Sequence, residues 1–242
     1  MFNECPNLTS IDLSNFDTSN VTNMMDMLGA CKNLTSLNVS NFITSKVTSM
    51  NGMFYGCSKL TSLDISSFDT SKVVNMGNMF SNCSNLTTID VSNFDTSKVE
   101  IMSYMFDNCS NLTTIDVSNF DTSKLKEMAV IFKNCSGLTS LDLSNFDTSN
   151  LIEMSTMCYG CSKLTSIDLS SFDTSKVIGM NYTFYGCSNL TTIKGVIDMK
   201  SCTNYDEMFY NCPKLKGVKI KNPPANFESK TGLSSSQYTI VS

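Results

Sequence analysis

Cysteine and aspartate are the residues of this chain with chemistry to offer. Nine of the eleven cysteines recur at 26-residue steps from Cys5 through Cys31, Cys57, Cys83, Cys109, Cys135, Cys161 and Cys187, closing with a 25-residue step at Cys212. Thiolates bind metals and exchange disulfides, and "CYGC" at Cys158 to Cys161 is the best case for either. A zinc centre wants a second such pair or histidine, and the chain has no histidine. Cys158 and Cys202, outside the ladder, point elsewhere. Cys158 stands where neighbouring repeats carry Phe132 and Phe184, and Cys202 stands in the column that begins at Val21. Cysteine there replaces apolar residues, so the ladder reads as buried, reduced thiols, with disulfides between neighbouring repeats as the competing arrangement.

The aspartates form two columns. The first is Asp12, Asp64, Asp90, Asp116, Asp142 and Asp168, interrupted by Asn38. The second is Asp17, Asp69, Asp95, Asp121, Asp147 and Asp173, within a D-T-S turn signature, with Lys46, Lys72, Lys98, Lys124 and Lys176 nearby. The first lacks such a neutralising column. Unit charges about 5 Å apart repel by about 1 kcal/mol even in water. Either these carboxylates are solvated surface charge, or they form an extended strip for cations or a basic partner. Asp12, Asp64, Asp90, Asp116, Asp142 and Asp168 are therefore the candidate partner-binding residues. A paired-carboxylate enzyme needs one distinctive constellation, whereas this motif recurs in nearly every repeat. We assign no catalytic, cofactor or metal site and expect no enzyme activity.

The elements that position these columns follow from the same period. Leu8, Leu34, Leu60 and their successors lead each repeat; Ile11 and Leu13 follow, then Phe16, giving L-x-x-L-x-L-x-x-F. Ile11 and Leu13 are two apart, which predicts a short strand with Ser10, Asp12 and Ser14 on its other face. One such strand buries too little to be stable alone, so each coil must cover the next, strands about 4.8 Å apart. Met24, Met27, Leu28 and Cys31 fall at i, i+3, i+4 and i+7, which predicts one to two turns of helix with methionine in the core. The residue before each ladder cysteine (Ala30, Gly56, Asn82, Asn108, Asn134, Gly160, Gly186) is mostly Gly or Asn, types that accept the left-handed conformation ending a helix. The Thr9, Thr35, Thr61 column reads as turn hydrogen bonding, with an ice- or glycan-binding array as the remote alternative. The expected architecture is an α/β repeat solenoid with a parallel β-sheet along one side and short helical turns on the other. Residues 1–222 make about eight 26-residue coils, and 223–242, opening on Pro223-Pro224, form a C-terminal cap or exit. Met1, Phe2 and Cys5 occupy the Met, Phe and Cys columns, so the chain starts mid-repeat, as a fragment of a longer protein would.

Composition narrows the function. Among 242 residues the net charge is −5, and all 17 basic residues are lysine, which argues against nucleic-acid binding. No apolar run approaches the length of a transmembrane segment, and no secretion signal, lipid-attachment cysteine or wall-sorting tail is visible.

"LTSLDISSFDTSKVVNMGNMFSNCSN" resembles the leucine-rich repeat of BspA-like surface proteins, the variant called the Mycoplasma lipoprotein repeat. The resemblance runs from Met1 to about Ile220. It implies a non-enzymatic solenoid at the bacterial cell surface or secreted, binding a host matrix protein, another cell or a glycan. The partner class is an extracellular protein or glycan. The alternative is a structural spacer or self-assembling fibre, with self-association through the uncapped N-terminal coil.

Overall fold

The computed structural model describes all 242 residues, Met1–Ser242. The chain winds into a parallel β-solenoid, each coil stacked on the next in register. Along one side, parallel bridges run Asn23, Ser49, Asn75, Ile101, Glu127, Glu153, Gly179, Asn204. Along another, β1 (Ser140–Asp142), β2 (Ser166–Asp168) and β3 (Thr192–Lys194) form a parallel sheet in which Leu141, Ile167 and Ile193 are in line and buried. Serine or threonine precedes each of them, and aspartate (lysine in β3) follows, so the period-2 alternation turns the apolar residue inward. In earlier coils the same alternation holds, with Asp12 exposed and Leu13 buried. Regular pairing is absent there, and single bonds such as Thr35 N–H to the Thr9 carbonyl (3.3 Å) replace it.

The expected helical turns are not formed. Met24, Met27, Leu28 and Cys31 are all buried, as their spacing requires. Their backbone, however, donates to the next coil: Met24, Asp26 and Leu28 N–H reach the Ser49, Asn51 and Met53 carbonyls at 2.9–3.0 Å. Between these, Met27 N–H returns to Met24 O at 3.2 Å and Gly29 N–H to Asp26 O at 3.1 Å. An α-helix would instead direct its donors four residues back along its own turn, leaving no alternating set for the next coil. Two consecutive turns, each closed by a left-handed residue (Asp26, φ 50°; Ala30, φ 55°), give the same burial and free alternate donors for stacking. The second left-handed position was legible from its Gly and Asn residues. The first also carries Tyr104 (φ 64°), Val130 (φ 64°) and Tyr182 (φ 58°), side chains for which this region costs about 1–2 kcal/mol.

The interior is built from columns. Phe54, Phe80, Phe106 and Phe132 are fully buried and stacked, ring centroids 5.6–5.8 Å apart. Cys158 interrupts this file, which resumes at Phe184 and Phe209, 5.5 Å apart. Phe120, Phe146 and Phe172 form a second file. Between coils stand buried polar pegs. Thr122 Oγ1 donates to the Asp147 carbonyl (3.0 Å) and accepts from the Asp147 N–H (2.8 Å); Thr44, Thr70, Thr148 and Thr174 do the same in their coils. Asn119 Nδ2 reaches three carbonyls of the preceding coil, those of Val91, Ser92 and Phe94, at 3.0–3.2 Å.

Beyond β3, Gly195 (φ 99°) turns the chain into β4 (Val196–Asp198), which pairs in parallel with β5 (Val218–Lys221). The only helix, α1 (Phe227–Thr231), buries Phe227. Its Lys230 and Thr231 carbonyls accept the Glu207 and Phe209 N–H groups at 2.6 and 2.8 Å, the position the next coil's carbonyls hold elsewhere. The last strand, β6 (Tyr238–Ile240), pairs in parallel with β5. No helix is long and apolar enough to cross a membrane.

Candidate functional site

Each aspartate of the first column caps its own turn. Oδ1 accepts the backbone N–H of the serine two residues on, at 2.9–3.0 Å, from Asp12–Ser14 through Asp168–Ser170. For Asp64, Asp90, Asp116, Asp142 and Asp168, hydrogen bonds from that serine's hydroxyl, then its N–H, hold the carboxyl below its ordinary value; for Asp12 the N–H acts first. Like-charge neighbours oppose this weakly at Asp90 and Asp142. The column therefore stays ionised at any pH above the ordinary carboxylate value of 3.8. Asn38 makes the same turn, its Oδ1 accepting from Ser40 N–H at 3.0 Å. The turn thus needs an oxygen acceptor and does not need a charge.

The column is solvent-facing and ends on a cation. Asp142 and Asp168 are cross-strand partners, and Asp168 pairs in turn with Lys194. Lys194 Nζ lies 3.2 Å from Asp168 Oδ2, an exposed ion pair worth about 0–1 kcal/mol. Asp64, Asp90 and Asp116 have no such partner among the three ion pairs of the chain. The structure thus sets the candidate residues on one face as a row of fixed acceptors, about 4.8 Å from coil to coil. The second column makes the same turn, Asp17 to Ser19 and onward, as the D-T-S signature implied. The threonine of that signature carries more than a turn, because it is the inter-coil peg.

The cysteines are free thiols, and nine of the eleven are buried. Sequence reasoning treated them as small apolar residues and missed their hydrogen bonds. Cys83 Sγ–H donates to the Phe54 carbonyl at 3.1 Å, and Cys57, Cys109, Cys135 and Cys161 reach Leu28, Phe80, Phe106 and Phe132 in the same way. A disulfide would remove these donors. Burial pushes Cys57, Cys109 and Cys212 up to about 12 and Cys202 to about 11. Cys158 fills its aromatic column, fully buried, while Cys202, in the coil whose step is 25 residues, is half-exposed rather than buried like Val47 or Val73. No three His, Cys, Asp or Glu side chains converge as a metal cage. Alkylation at pH 8 should therefore modify Cys5 quickly and Cys202 slowly, with the other nine reacting only in denaturant; mass spectrometry showing several ladder cysteines modified in native protein would contradict the burial.

One feature of the surface escaped the sequence reading. The column two residues before each ladder cysteine reads Asn3, Gly29, Tyr55, Ser81, Asp107, Lys133, Tyr159, Tyr185, Tyr210. Its aromatic residues cluster toward the C-terminal coils, a signal visible only once the columns are compared member by member.

Comparison with known proteins gives a family. The model described as Mycoplasma protein of unknown function, DUF285, matches residues 1–115, 29–140 and 111–222. The Mycoplasma-type repeat expected from the sequence is thus the one the family model recognises. Among solved structures, a T. pallidum leucine-rich repeat protein is similar at 21% identity over 70% of this chain and 72% of that one, with a TM-score of 0.46. A leucine-rich repeat protein from Bacteroides ovatus is similar at 17% identity over 100% and 86%, with a TM-score of 0.34. No curated protein matches.

Proposed function

Because the chain belongs to the family described as Mycoplasma protein of unknown function, DUF285, we propose that it is a non-enzymatic binding module of the bacterial surface, engaging an extracellular protein or glycan through the acidic column. A repeat solenoid offers an extended, rigid face, suited to a long partner and poorly suited to a small molecule that wants an enclosed pocket. The observation that carries the reading is the contrast between Asn38 and its neighbours. The turn closes equally well on an amide, yet Asp12, Asp64, Asp90, Asp116, Asp142 and Asp168 all carry charge, against like-charge repulsion at Asp90 and Asp142. Repeated charge at strand spacing complements a basic or repetitive ligand, speeds its encounter at low ionic strength and loses that advantage as salt rises. Residues 223–242 close the C-terminal end in this reading, α1 standing in for a further coil.

The test is binding of a panel of immobilised matrix proteins, measured at several salt concentrations, with the triple variant Asp90→Asn, Asp116→Asn, Asp142→Asn. The amides keep the turns, so the fold survives. Association should slow roughly tenfold or more at low salt and its salt dependence should flatten. Unchanged affinity and unchanged salt dependence would remove the column from the binding surface.

A further inference from the structure

Tyr159, Tyr185 and Tyr210 stack along the solenoid, Tyr159 on Tyr185 at 4.7 Å and 3°, Tyr185 on Tyr210 at 5.4 Å and 24°. Tyr182 stands across the first two, its ring 64° from Tyr159 and 62° from Tyr185. Each stacked ring covers the face of the one before it, so one face of Tyr159 remains, toward the preceding coil. There Lys133 takes the column position, and its Nζ lies over that face, 5.8 Å from the ring centroid, as a loose cation–π contact. The result is a step in the surface, a cleft of about 540 Å³ lined by Lys133, Asn134, Thr156, Tyr159 and Tyr182. Lys133 belongs to none of the ion pairs of the chain.

Two departures from the repeat build this cleft. Position 159 is tyrosine directly after a lysine coil, so a flexible ammonium and not another ring overlies its outer face. Position 182 holds tyrosine at a left-handed φ of 58°, as Tyr104 does at 64° three coils earlier, where Asp26, Gly52 and Asn78 supply the residue types that accept it. Neither departure serves the core, since Tyr159 and Tyr182 remain partly exposed at the surface.

We propose that this cleft binds a saccharide, one sugar ring displacing the flexible Lys133 ammonium from the outer face of Tyr159 and lying there. The electron-rich face of an aromatic ring attracts the weakly positive C–H groups of a sugar. The hydroxyls at the sugar's rim then meet the Asn134 amide, the Thr156 and Tyr182 hydroxyls and the Lys133 ammonium, all of which line the same space. A nucleotide would also stack, but a chain of net charge −5 without arginine has little to hold its phosphates. The site shares no residue with the acidic column and goes beyond the function proposed from it.

Saturation-transfer difference NMR with chitotriose, N-acetyllactosamine, maltotriose and 3′-sialyllactose tests it on the intact chain. At least one should receive saturation at its ring C–H protons. Tyr159→Ala should abolish the signal, and Tyr159→Phe, which keeps the ring face, should retain it. The triple aspartate variant should bind the same sugar as wild type, so this site and the acidic column fail separately. No transfer to any of the four sugars, or transfer that survives Tyr159→Ala in a folded variant, would overturn the proposal; so would loss of transfer in the aspartate variant.

Discussion

Phe106→Ala should destabilise the protein by about 3–5 kcal/mol, the largest effect of any single truncation considered for the core. Phe106 has no exposed surface, and its ring lies between Phe80 at 5.6 Å and Phe132 at 5.7 Å, nearly parallel to both. Truncation leaves a void that two coils share. The stacked neighbours cannot close it, because the backbone beside each ring is tied to the next coil by bonds such as Phe80 N–H to Met105 O at 2.9 Å. Coupling between nearest neighbours spreads the damage in both directions along the array. Phe172→Ala should cost less, since that ring is 8% exposed and stacks only on Phe146. A urea midpoint equal to wild type for Phe106→Ala would show that the file of rings is not the core.

Thr122→Val should cost about 2–4 kcal/mol although it conserves shape. The buried hydroxyl serves both the N–H and the C=O of Asp147 in the next coil, and valine leaves both without a partner. An unsatisfied buried group costs about 1–3 kcal/mol. Thr122→Ser keeps the hydroxyl and should lose much less. Near-equal losses for the two variants would mean that packing of the methyl group, and not the hydrogen-bond pair, holds the coils in register.

Much of this architecture was legible in the residues themselves. Identical columns at 26 residues mark a stacked array, because a strand as short as Ser140–Asp142 has no stability alone. The inward and outward assignments of Leu13 and Asp12 followed from alternation. The helix did not, and its failure is instructive. Spacing at i, i+3, i+4 and i+7 reports which side chains are buried, while the backbone between them is decided by where its donors go. In a solenoid the next coil lies within hydrogen-bonding reach of every turn, and that competition is invisible to a local pattern. Thr122 and Cys83 were misjudged for a related reason. Their types suggested turn formation and apolar filling, and their hydrogen bonds run to residues 25 and 29 positions away. The acidic column was legible as a row. The cap role of each aspartate became plain only with Ser14 or Ser92 in place, and it was Asn38 that separated the turn from the charge. The tyrosine cleft depends on a difference between adjacent coils, Lys133 beside Tyr159, which a search for sameness passes over.

The central claim is that coil-to-coil pairing replaces local helix on the methionine side of every repeat. Scalar couplings transmitted through hydrogen bonds in solution NMR test it most directly, because each identifies one donor and one acceptor. The account predicts coupling from the Phe54 amide nitrogen to the Met79 carbonyl carbon and from Phe80 to Met105, pairs bonded at 3.0 and 2.9 Å. Coupling from Phe54 to Met50 and from Phe80 to Met76, the i to i−4 pattern of an α-helix, would contradict it.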